Sequence, residues 1–225
     1  MKIPDEFENL QILPKDIDNR ELVSVMRGFA GALGKRCSFC HVGGDDPNSL
    51  QGMDFATDER EQKKTARAMM QMVNDINENH LGKLDRESPL KVQCVTCHHG
   101  VEKPETIDSI MLGLIDSEGL EAASARYEEP REEYYGSGAY NFDAGPLNAV
   151  AEELARGERL DEAVRVMEMN IEFHSGESHP HVLLAQIHVQ RGEKEAAIAS
   201  LERALEIDPD NGWARGMLER VRTGD

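Results

Sequence analysis

The sequence predicts a mostly α-helical protein in two parts, and three observations support this fold class. Residues 18–34 and 58–82 each begin with a capping pair, carry apolar residues at helical spacing and end at a glycine. The pentapeptide C-x-x-C-H follows each of these segments. Residues 145–225 contain an internal repeat with an offset of 34 residues, which is typical of stacked helix pairs.

The chain begins with a segment that is expected to be extended, residues 1–16, in which Pro4 and Pro14 interrupt regular structure. The first helix is expected to begin near Asp18, which forms a capping pair with Glu21 three residues later. Its apolar face is formed by Leu22, Met26, Phe29, Ala30 and Leu33.

A glycine-rich loop, residues 43–49, separates the first pentapeptide from the second helix. That helix is expected to run from Asp58 to His80, with Asp58 and Glu61 as its capping pair. Its apolar face is formed by Ala66, Met69, Val73, Ile76 and His80.

All four cysteines of the chain lie in the two pentapeptides, Cys37-Ser38-Phe39-Cys40-His41 and Cys94-Val95-Thr96-Cys97-His98. In this motif the two thiols can form thioethers to the vinyl groups of a haem, and the histidine can bind the iron. Zinc knuckles also use C-x-x-C pairs, and a single C-x-x-C pair can form a redox disulfide. The histidine after both second cysteines, and the long segment between the motifs, favour two haem c groups over both alternatives.

A methionine lies on the apolar face of each helix that precedes a haem motif, Met26 in the first and Met69 in the second. Its thioether sulfur is a soft ligand that suits haem iron and completes a six-coordinate site together with histidine. Methionine also fills hydrophobic cores, so one such residue would decide little. Because the same arrangement occurs twice, we expect Met26 and Met69 to be the sixth ligands. Met70, Met72 and His80 remain alternatives at the second haem.

Four stretches within residues 8–101 carry a family resemblance: Asn9-Leu10-Gln11-Ile12-Leu13-Pro14, Met26-Arg27-Gly28-Phe29, Ala66-Arg67-Ala68-Met69-Met70-Gln71-Met72-Val73-Asn74-Asp75-Ile76-Asn77 and Cys94-Val95-Thr96-Cys97-His98-His99-Gly100. Together they resemble one dihaem half of the cytochrome c subunit of photosynthetic reaction centres. The resemblance implies two sets of haem-binding residues: Cys37, Cys40, His41 and distal Met26 at the first haem, and Cys94, Cys97, His98 and distal Met69 at the second.

The chain departs from this family pattern at three places. It holds one dihaem half, so neither the tetrahaem assembly nor photosynthesis is implied. His99 stands where the family usually has arginine, and the loop at residues 82–93 looks a few residues longer. The longer loop leaves the choice among Met69, Met70 and Met72 open.

The net charge of -18 argues against nucleic acid as a partner, because phosphate would be repelled. It favours basic partners, cations or simply solubility, and the expected partners are redox proteins. No apolar run approaches the roughly 18 residues that span a bilayer. The polar start, Met1-Lys2-Ile3-Pro4, is not a signal peptide. Since bacterial cytochrome c maturation normally occurs outside the cytoplasm, we expect a periplasmic or extracellular protein whose export signal has been removed.

After the haem motifs, residues 105–144 form an acidic connector with two short predicted helices, at residues 106–115 and 120–129. Pro130 is expected to interrupt the second helix, because proline removes a backbone donor and clashes with the preceding turn. The acidic residues are expected to form a solvated face, and a docking patch for a basic partner is the alternative.

Residues 145–225 form the last predicted domain, and residues 1–104 form the haem domain. Residues 181–211 resemble a tetratricopeptide repeat closely, residues 147–180 resemble one more loosely, and residues 211–221 are expected to form a capping helix. Stacked helix pairs of this kind leave a concave surface that commonly holds a peptide or a partner protein.

These features predict an electron-transfer protein and not an enzyme. If both irons are bound by histidine and methionine, neither has an open position for a substrate. The alternatives are a peroxidase-like haem enzyme, which needs one open or displaceable ligand, and a redox or gas sensor. A further expectation is self-association into a haem chain, in which the repeat groove of one copy holds the N-terminal arm of the next.

Overall fold

The computed structural model describes residues 7–44 and 49–224. Pro4, and residues 45–48 of the predicted loop, lie outside the described residues. The chain divides into two compact units: Met1–Pro104 and Glu105–Asp225. The described residues form ten α-helices and one two-stranded sheet, so the mostly α-helical fold class is confirmed.

Helix α1 of the first unit, Asn19–Leu33, begins where the sequence predicts. The Asp18 carboxylate accepts hydrogen bonds from the backbone N–H groups of Arg20 and Glu21, at 2.8 and 2.9 Å. Gly34 ends the helix in the left-handed conformation with φ of 62°. At each end of α1, the contacts that stop the helix join residues only a few positions apart in the sequence.

Helix α2, Glu61–Asp75, begins differently from the prediction. Its N-cap residue is Arg60, and no described side chain caps the first turn. The predicted cap, Asp58, instead accepts two hydrogen bonds from the guanidinium of Arg67. A charged bidentate pair is stronger than one bond to a backbone N–H, so the capping-pair prediction for this helix is wrong.

Helix α2 continues into a π-helical turn, Ile76–His80, and then a 3-10 turn, Leu81–Lys83. The second haem motif forms a short helix, α3, Cys94–His98. The first haem motif begins with a 3-10 turn, Cys37–Phe39, and runs into a small sheet that the sequence did not predict. The sheet has two antiparallel strands: β1, Val42–Gly43, and β2, Met53–Asp54.

The first unit buries few of its own side chains. Among its described residues the buried apolar ones are Ile17, Ala32 and Val101. Its large exposed apolar residues are Leu50, Phe55, Met69, Met72, Leu84, Leu90 and Val95. Contacts between described residues therefore hold this unit together more through hydrogen bonds and close backbone approach than through an apolar core.

The second unit has a dense apolar core. Its helices are α4 (Ile107–Glu118), α5 (Leu120–Tyr134), α6 (Ala144–Arg156), α7 (Leu160–Phe173), α8 (Ser178–Gln190), α9 (Lys194–Ile207) and α10 (Gly212–Thr223). Residues of α4 to α8 form one buried cluster, in which Tyr127, Leu147 and Met167 are large members. Residues of α8, α9 and α10 form a second cluster around Leu201. The two helices of the acidic segment thus share a core with the first repeat helices.

Helix α5 runs through Pro130 to Tyr134, so the prediction that Pro130 interrupts the helix is wrong. An interior proline costs about 3 kcal/mol, and packing on both sides of it offsets this cost. The buried Tyr127 ring lies 5.5 Å from the Phe173 ring, measured between centroids. The Arg131 guanidinium lies over the same Phe173 ring at 4.5 Å.

Helices α8 and α9 form the predicted helix pair, and Gly192 in the turn between them has φ of 76°. Helix α10 is the predicted capping helix, and its N-cap side chain, Asn211, accepts a hydrogen bond from the Ala214 N–H at 3.0 Å. Within residues 7–44 and 49–224, none of the helices combines the length and the apolar character needed to cross a bilayer.

Candidate haem-binding site

The first haem motif lies where a 3-10 turn runs into strand β1. Cys37 is exposed, Cys40 is half-buried, and both thiols are free. The His41 ring packs edge-on against the Phe55 ring, with 4.9 Å between the centroids. Its Nδ1 is buried without a hydrogen-bond partner among the described residues. The small sheet brings Phe55 to His41 and so supports the imidazole from one side.

Local hydrogen bonds hold the second haem motif. Gln93 and Thr96 form a capping box at the start of helix α3, in which the Gln93 N–H donates to the Thr96 hydroxyl at 3.0 Å. His98 Nδ1 lies 3.0 Å from the carbonyl oxygen of Val101. With Nδ1 protonated and donating to this carbonyl, Nε2 keeps the lone pair that can bind a metal.

A tight turn after helix α3 ties the second motif to helix α1. His99 and Gly100 have φ values of 50° and 93°. The Gly100 N–H donates to the Ala32 carbonyl at 2.9 Å. A Cβ atom on Gly34 would overlap the Gly100 carbonyl oxygen. Position 34 therefore requires glycine for two reasons, its positive φ and this close backbone approach.

Lys63 brings a positive charge to the first haem motif. Its Nζ donates to the carbonyl oxygens of Phe55, Ala56 and Thr57, at 2.9, 3.0 and 2.8 Å. Burial and then the Lys63 charge lower the pKa of His41, and the Asp54 carboxylate opposes them. The net lowering favours the neutral imidazole, which is the form that binds a metal.

Two of the four thiols have a raised pKa. Burial is the main cause at Cys40, where Cys37 adds to the rise and Lys63 opposes it. Burial also raises the pKa of the Cys94 thiol. A raised pKa disfavours the thiolate that zinc binding and disulfide exchange require.

A polar cluster fastens the N-terminal segment to helix α2. Arg67 donates to both carboxylate oxygens of Asp58 at 2.8 Å and to the Asn9 carbonyl at 3.3 Å. The Asn9 amide donates to the Asp58 carboxylate at 2.9 Å and also to the Ala56 carbonyl. The hydrogen bonds and charge of Arg67 hold the pKa of Asp58 far below its usual range. The carboxylate stays ionised, and the cluster orients the helix that carries the second predicted methionine ligand.

A side-chain clamp joins the π-helical turn after α2 to the second motif. The Asn77 amide donates to the Val92 carbonyl at 2.8 Å, and the Val92 N–H donates to the Asn77 Oδ1 at 2.8 Å. Val92 lies two residues before Cys94. The clamp therefore connects helix α2 to the backbone that enters the haem motif.

The predicted sixth ligands lie on helices α1 and α2. Met26 is half-buried on α1, and Met69 is 41% exposed on α2. Of the alternatives, Met72 is 47% exposed and Met70 is half-buried. His80 is exposed, and its Nε2 lies 3.4 Å from a carboxylate oxygen on the preceding turn. This contact joins two exposed side chains and does not decide ligation, so the choice of Met69 stays a prediction.

The residues of the first unit fit haem c. Each motif offers two free thiols, and each histidine is held by the chain, His41 against an aromatic ring and His98 by a carbonyl. The sparse core and the large exposed apolar side chains of this unit suit a domain that packs around large apolar plates. An apolar surface of this extent is otherwise unfavourable in water.

Sequence reasoning found the haem motifs but not the polar contacts that position them. Asn9, Arg67 and Asn77 all lie inside the stretches that carry the family resemblance. A polar residue within such a stretch is the signal that could have pointed to these contacts.

The sequence model of one protein family, described as Photosynthetic reaction centre cytochrome C subunit, matches residues 2–166. This match covers most of the chain, includes both haem motifs and runs through the acidic segment into helix α7. The chain belongs to this family. Membership supports a haem c cofactor and an electron-transfer role. A tetratricopeptide repeat model matches residues 179–211, which confirms the repeat formed by α8 and α9.

Three relatives illustrate the extent of the similarity. The photosynthetic reaction center cytochrome c subunit of Roseobacter denitrificans is 33% identical over 106 residues, which cover 46% of this chain and 26% of the relative. Cytochrome c-554 of Chloroflexus aurantiacus is 33% identical over 110 residues, covering 48% and 24%. The reaction center cytochrome c subunit of Rubrivivax gelatinosus is 32% identical over 90 residues, covering 36% and 23%. The matched region therefore spans about a quarter of the length of these curated relatives.

Proposed function

We propose that the protein is a one-electron carrier with two covalent haem c groups, located in the periplasm or outside the cell. The proposed residues are Cys37, Cys40, Cys94 and Cys97 for attachment, His41 and His98 as proximal ligands, and Met26 and Met69 as distal ligands. Each haem supplies an iron centre that takes up and releases one electron. The observation that carries the proposal is the presence, in one unit, of two complete motifs with free thiols and supported histidines.

The two proposed proximal histidines have different surroundings. The Val101 carbonyl holds the His98 ring through Nδ1, and such a hydrogen bond makes an imidazole ligand more basic. His41 has no comparable partner among the described residues, and it feels the positive charge of Lys63. A nearby cation destabilises the more positively charged ferric haem, whereas a more basic ligand stabilises it. The first site is therefore proposed to have the higher reduction potential.

Two methionine ligands would leave no open coordination position, which favours a carrier over a peroxidase-like enzyme or a gas sensor. Carbon monoxide and cyanide test this point directly, since both need a free or displaceable position. A carrier should bind neither readily at neutral pH. Rapid binding of either molecule to one haem would favour the enzyme or sensor.

The haem count tests the proposed function itself. The pyridine haemochrome spectrum of the purified protein should report two haems per chain, and intact mass should report the same number. Replacing Cys94 and Cys97 with alanine should leave one haem, and replacing Cys37 and Cys40 with alanine should leave the other. A purified wild-type protein that contains zinc and lacks a Soret band would overturn the proposal.

The repeat helices are proposed to dock a protein segment. A cavity of about 300 Å³ lies between α6 and α8. It is lined by Ala151, Glu152, Ala155, Arg156, Leu183, Gln186, Ile187 and Gln190. An apolar floor with polar groups of both charges around it suits an extended peptide. We propose the N-terminal arm of a second copy as the occupant, which would make a chain of haem domains, with a basic redox partner as the other outcome.

Analytical ultracentrifugation over a concentration series tests self-association. Gln190→Glu adds one negative charge at the end of α8 in the cavity lining, where it would repel an arm that carries Asp5, Glu6 and Glu8. Arg165→Gln changes the net charge by the same amount on an exposed side chain of α7, outside the residues that line the cavity. The first variant should weaken the oligomer and the second should not. A strictly monomeric wild-type protein at high concentration would overturn self-association and leave docking of a redox partner.

A further inference from the structure

Asn77 makes a two-point contact with the backbone that leads into the second haem motif. Its amide donates to the Val92 carbonyl and its Oδ1 accepts from the Val92 N–H, both at 2.8 Å. One side chain thus pairs with both polar groups of one residue, as a neighbouring strand does in a sheet. Two bonds set the rotation of the Val92 peptide groups as well as their distance from the helix.

The segment that Asn77 holds has little other support. Residues 84–93 form no regular secondary structure, and Leu84 and Leu90 are 50% and 47% exposed. Apolar packing against described residues therefore does not determine where this segment lies. Val92 is the point at which it is fastened to helix α2, immediately before the motif begins.

The π-helical turn places Asn77 where it can make this contact. Asn77 lies within Ile76–His80, which continues α2 with a wider turn. The following 3-10 turn packs against it, because a Cβ atom on Gly82 would come within 2.9 Å of the Asn77 carbonyl oxygen. Single π-helical turns inside α-helices are frequent at functional sites. Here the turn ends a helix and presents an amide to a neighbouring segment.

We propose that Asn77 is a positioning residue for the second haem site, an inference that rests on the proposed function. Helix α2 carries Met69, and the motif at residues 94–98 carries His98. By fastening Val92 to the end of α2, Asn77 holds the two proposed axial ligands at a constant separation. The other end of the motif is fastened to α1 by the Gly100 N–H, so the motif is tied on both sides.

The test compares Asn77→Ala with Asn79→Ala in the full-length holoprotein. Asn79 is a matched control, because it lies in the same turn and its amide donates to the Asp75 carboxylate at 2.8 Å, away from Val92. Asn77→Ala should shift one of the two midpoint potentials and leave the other unchanged. It should also weaken the ferric methionine-to-iron charge-transfer band by about half, since each haem contributes one such bond. Asn79→Ala should leave both potentials and the band at their wild-type values.

Amide hydrogen exchange gives a readout that does not depend on the haem. The Val92 N–H should exchange about tenfold faster in Asn77→Ala than in the wild type, as expected for loss of a hydrogen bond. Asn79→Ala should leave its exchange unchanged. Unaltered potentials, or equal shifts at both haems, would overturn the positioning role even if the variant were less stable.

A second variant covers the case in which Asn77→Ala fails to accumulate. Asn77→Gln keeps a neutral amide but adds one methylene, so its hydrogen bonds to Val92 would be misaligned, and it should shift the same single potential by a smaller amount. An unchanged potential in Asn77→Gln would then count against the proposal. The haem count distinguishes failure of the positioning role from failure of the proposed function. If the wild type holds two haems and the Asn77 variants leave both potentials unchanged, only the positioning role is overturned. If the wild type holds fewer than two haems, the proposed function is overturned.

Discussion

Replacing Gly34 with alanine should destabilise the first unit, because this position lies at the contact between α1 and the second haem motif. Gly34 has φ of 62°, and a residue with a Cβ costs about 1–2 kcal/mol in this left-handed conformation. The new Cβ would also overlap the Gly100 carbonyl oxygen, a backbone atom that cannot rotate away. The 2.9 Å hydrogen bond from the Gly100 N–H to Ala32 would lengthen, with a loss of about 1 kcal/mol. The expected total is about 2–3 kcal/mol.

Gly28→Ala is the matched control for this substitution. Gly28 lies inside α1, and a Cβ atom built on it meets nothing within 4 Å. Alanine is favoured over glycine in a helix interior by about 0.5–1 kcal/mol. The same chemical change, six positions apart on the chain, is therefore expected to change the free energy of unfolding in opposite directions.

Urea unfolding of the holoprotein measures both effects. Circular dichroism in the Soret region reports on the first unit, and fluorescence of Trp213, the single tryptophan, reports on the second. Gly34→Ala should lower the Soret midpoint and leave the fluorescence midpoint unchanged, and Gly28→Ala should raise or preserve the Soret midpoint. A Gly34→Ala protein as stable as the wild type would refute the argument from close backbone approach.

Met26→His and Met69→His should each lower the potential of one haem in a redox titration, because imidazole favours ferric iron more than thioether does; an unmoved potential excludes that methionine as a ligand. Pro130→Ala should stabilise the second unit by about 1–3 kcal/mol in calorimetry, since it restores a helical donor; a lower melting temperature would contradict the continuous α5. Burial, and then Arg203, lower the pKa of His181 below its ordinary 6.5. The unfolded chain then binds the proton more readily, so stability should fall as pH drops below about 6.5, and His181→Gln should weaken this dependence.

Features that depend on neighbouring residues could be predicted from the sequence. The Asp18 cap, the end of α1 at Gly34 and the haem motifs each involve residues within a few positions of one another. The repeat at residues 179–211 could be predicted because a similar residue pattern recurs in the sequence at a fixed period. The residue types proposed to bind haem therefore follow from spacing, without knowledge of the fold.

Features that depend on distant residues could not be predicted. Asp58 has the right spacing for a helix cap, but Arg67 and Asn9 compete for its carboxylate, and Asn9 is far away in the sequence. Pro130 has the right chemistry to end a helix, but Phe173 packs against Tyr127 before it and against Arg131 after it. In both cases a tertiary contact outweighs the local preference, and no periodicity in the sequence reports such a contact.

The two units position their helices and loops by different interactions, and the burial of their apolar side chains explains the difference. The second unit positions its helices by burying side chains such as Tyr127 and Met167. The first unit leaves its large apolar side chains exposed, as expected if they serve to contact haem, so they are not available to hold its loops. Hydrogen bonds hold these loops instead, between Asn77 and Val92 and between Gly100 and Ala32. When the apolar side chains of a domain pack against a cofactor, hydrogen bonds have to position its backbone. They can do so because their geometry depends on orientation as well as on distance.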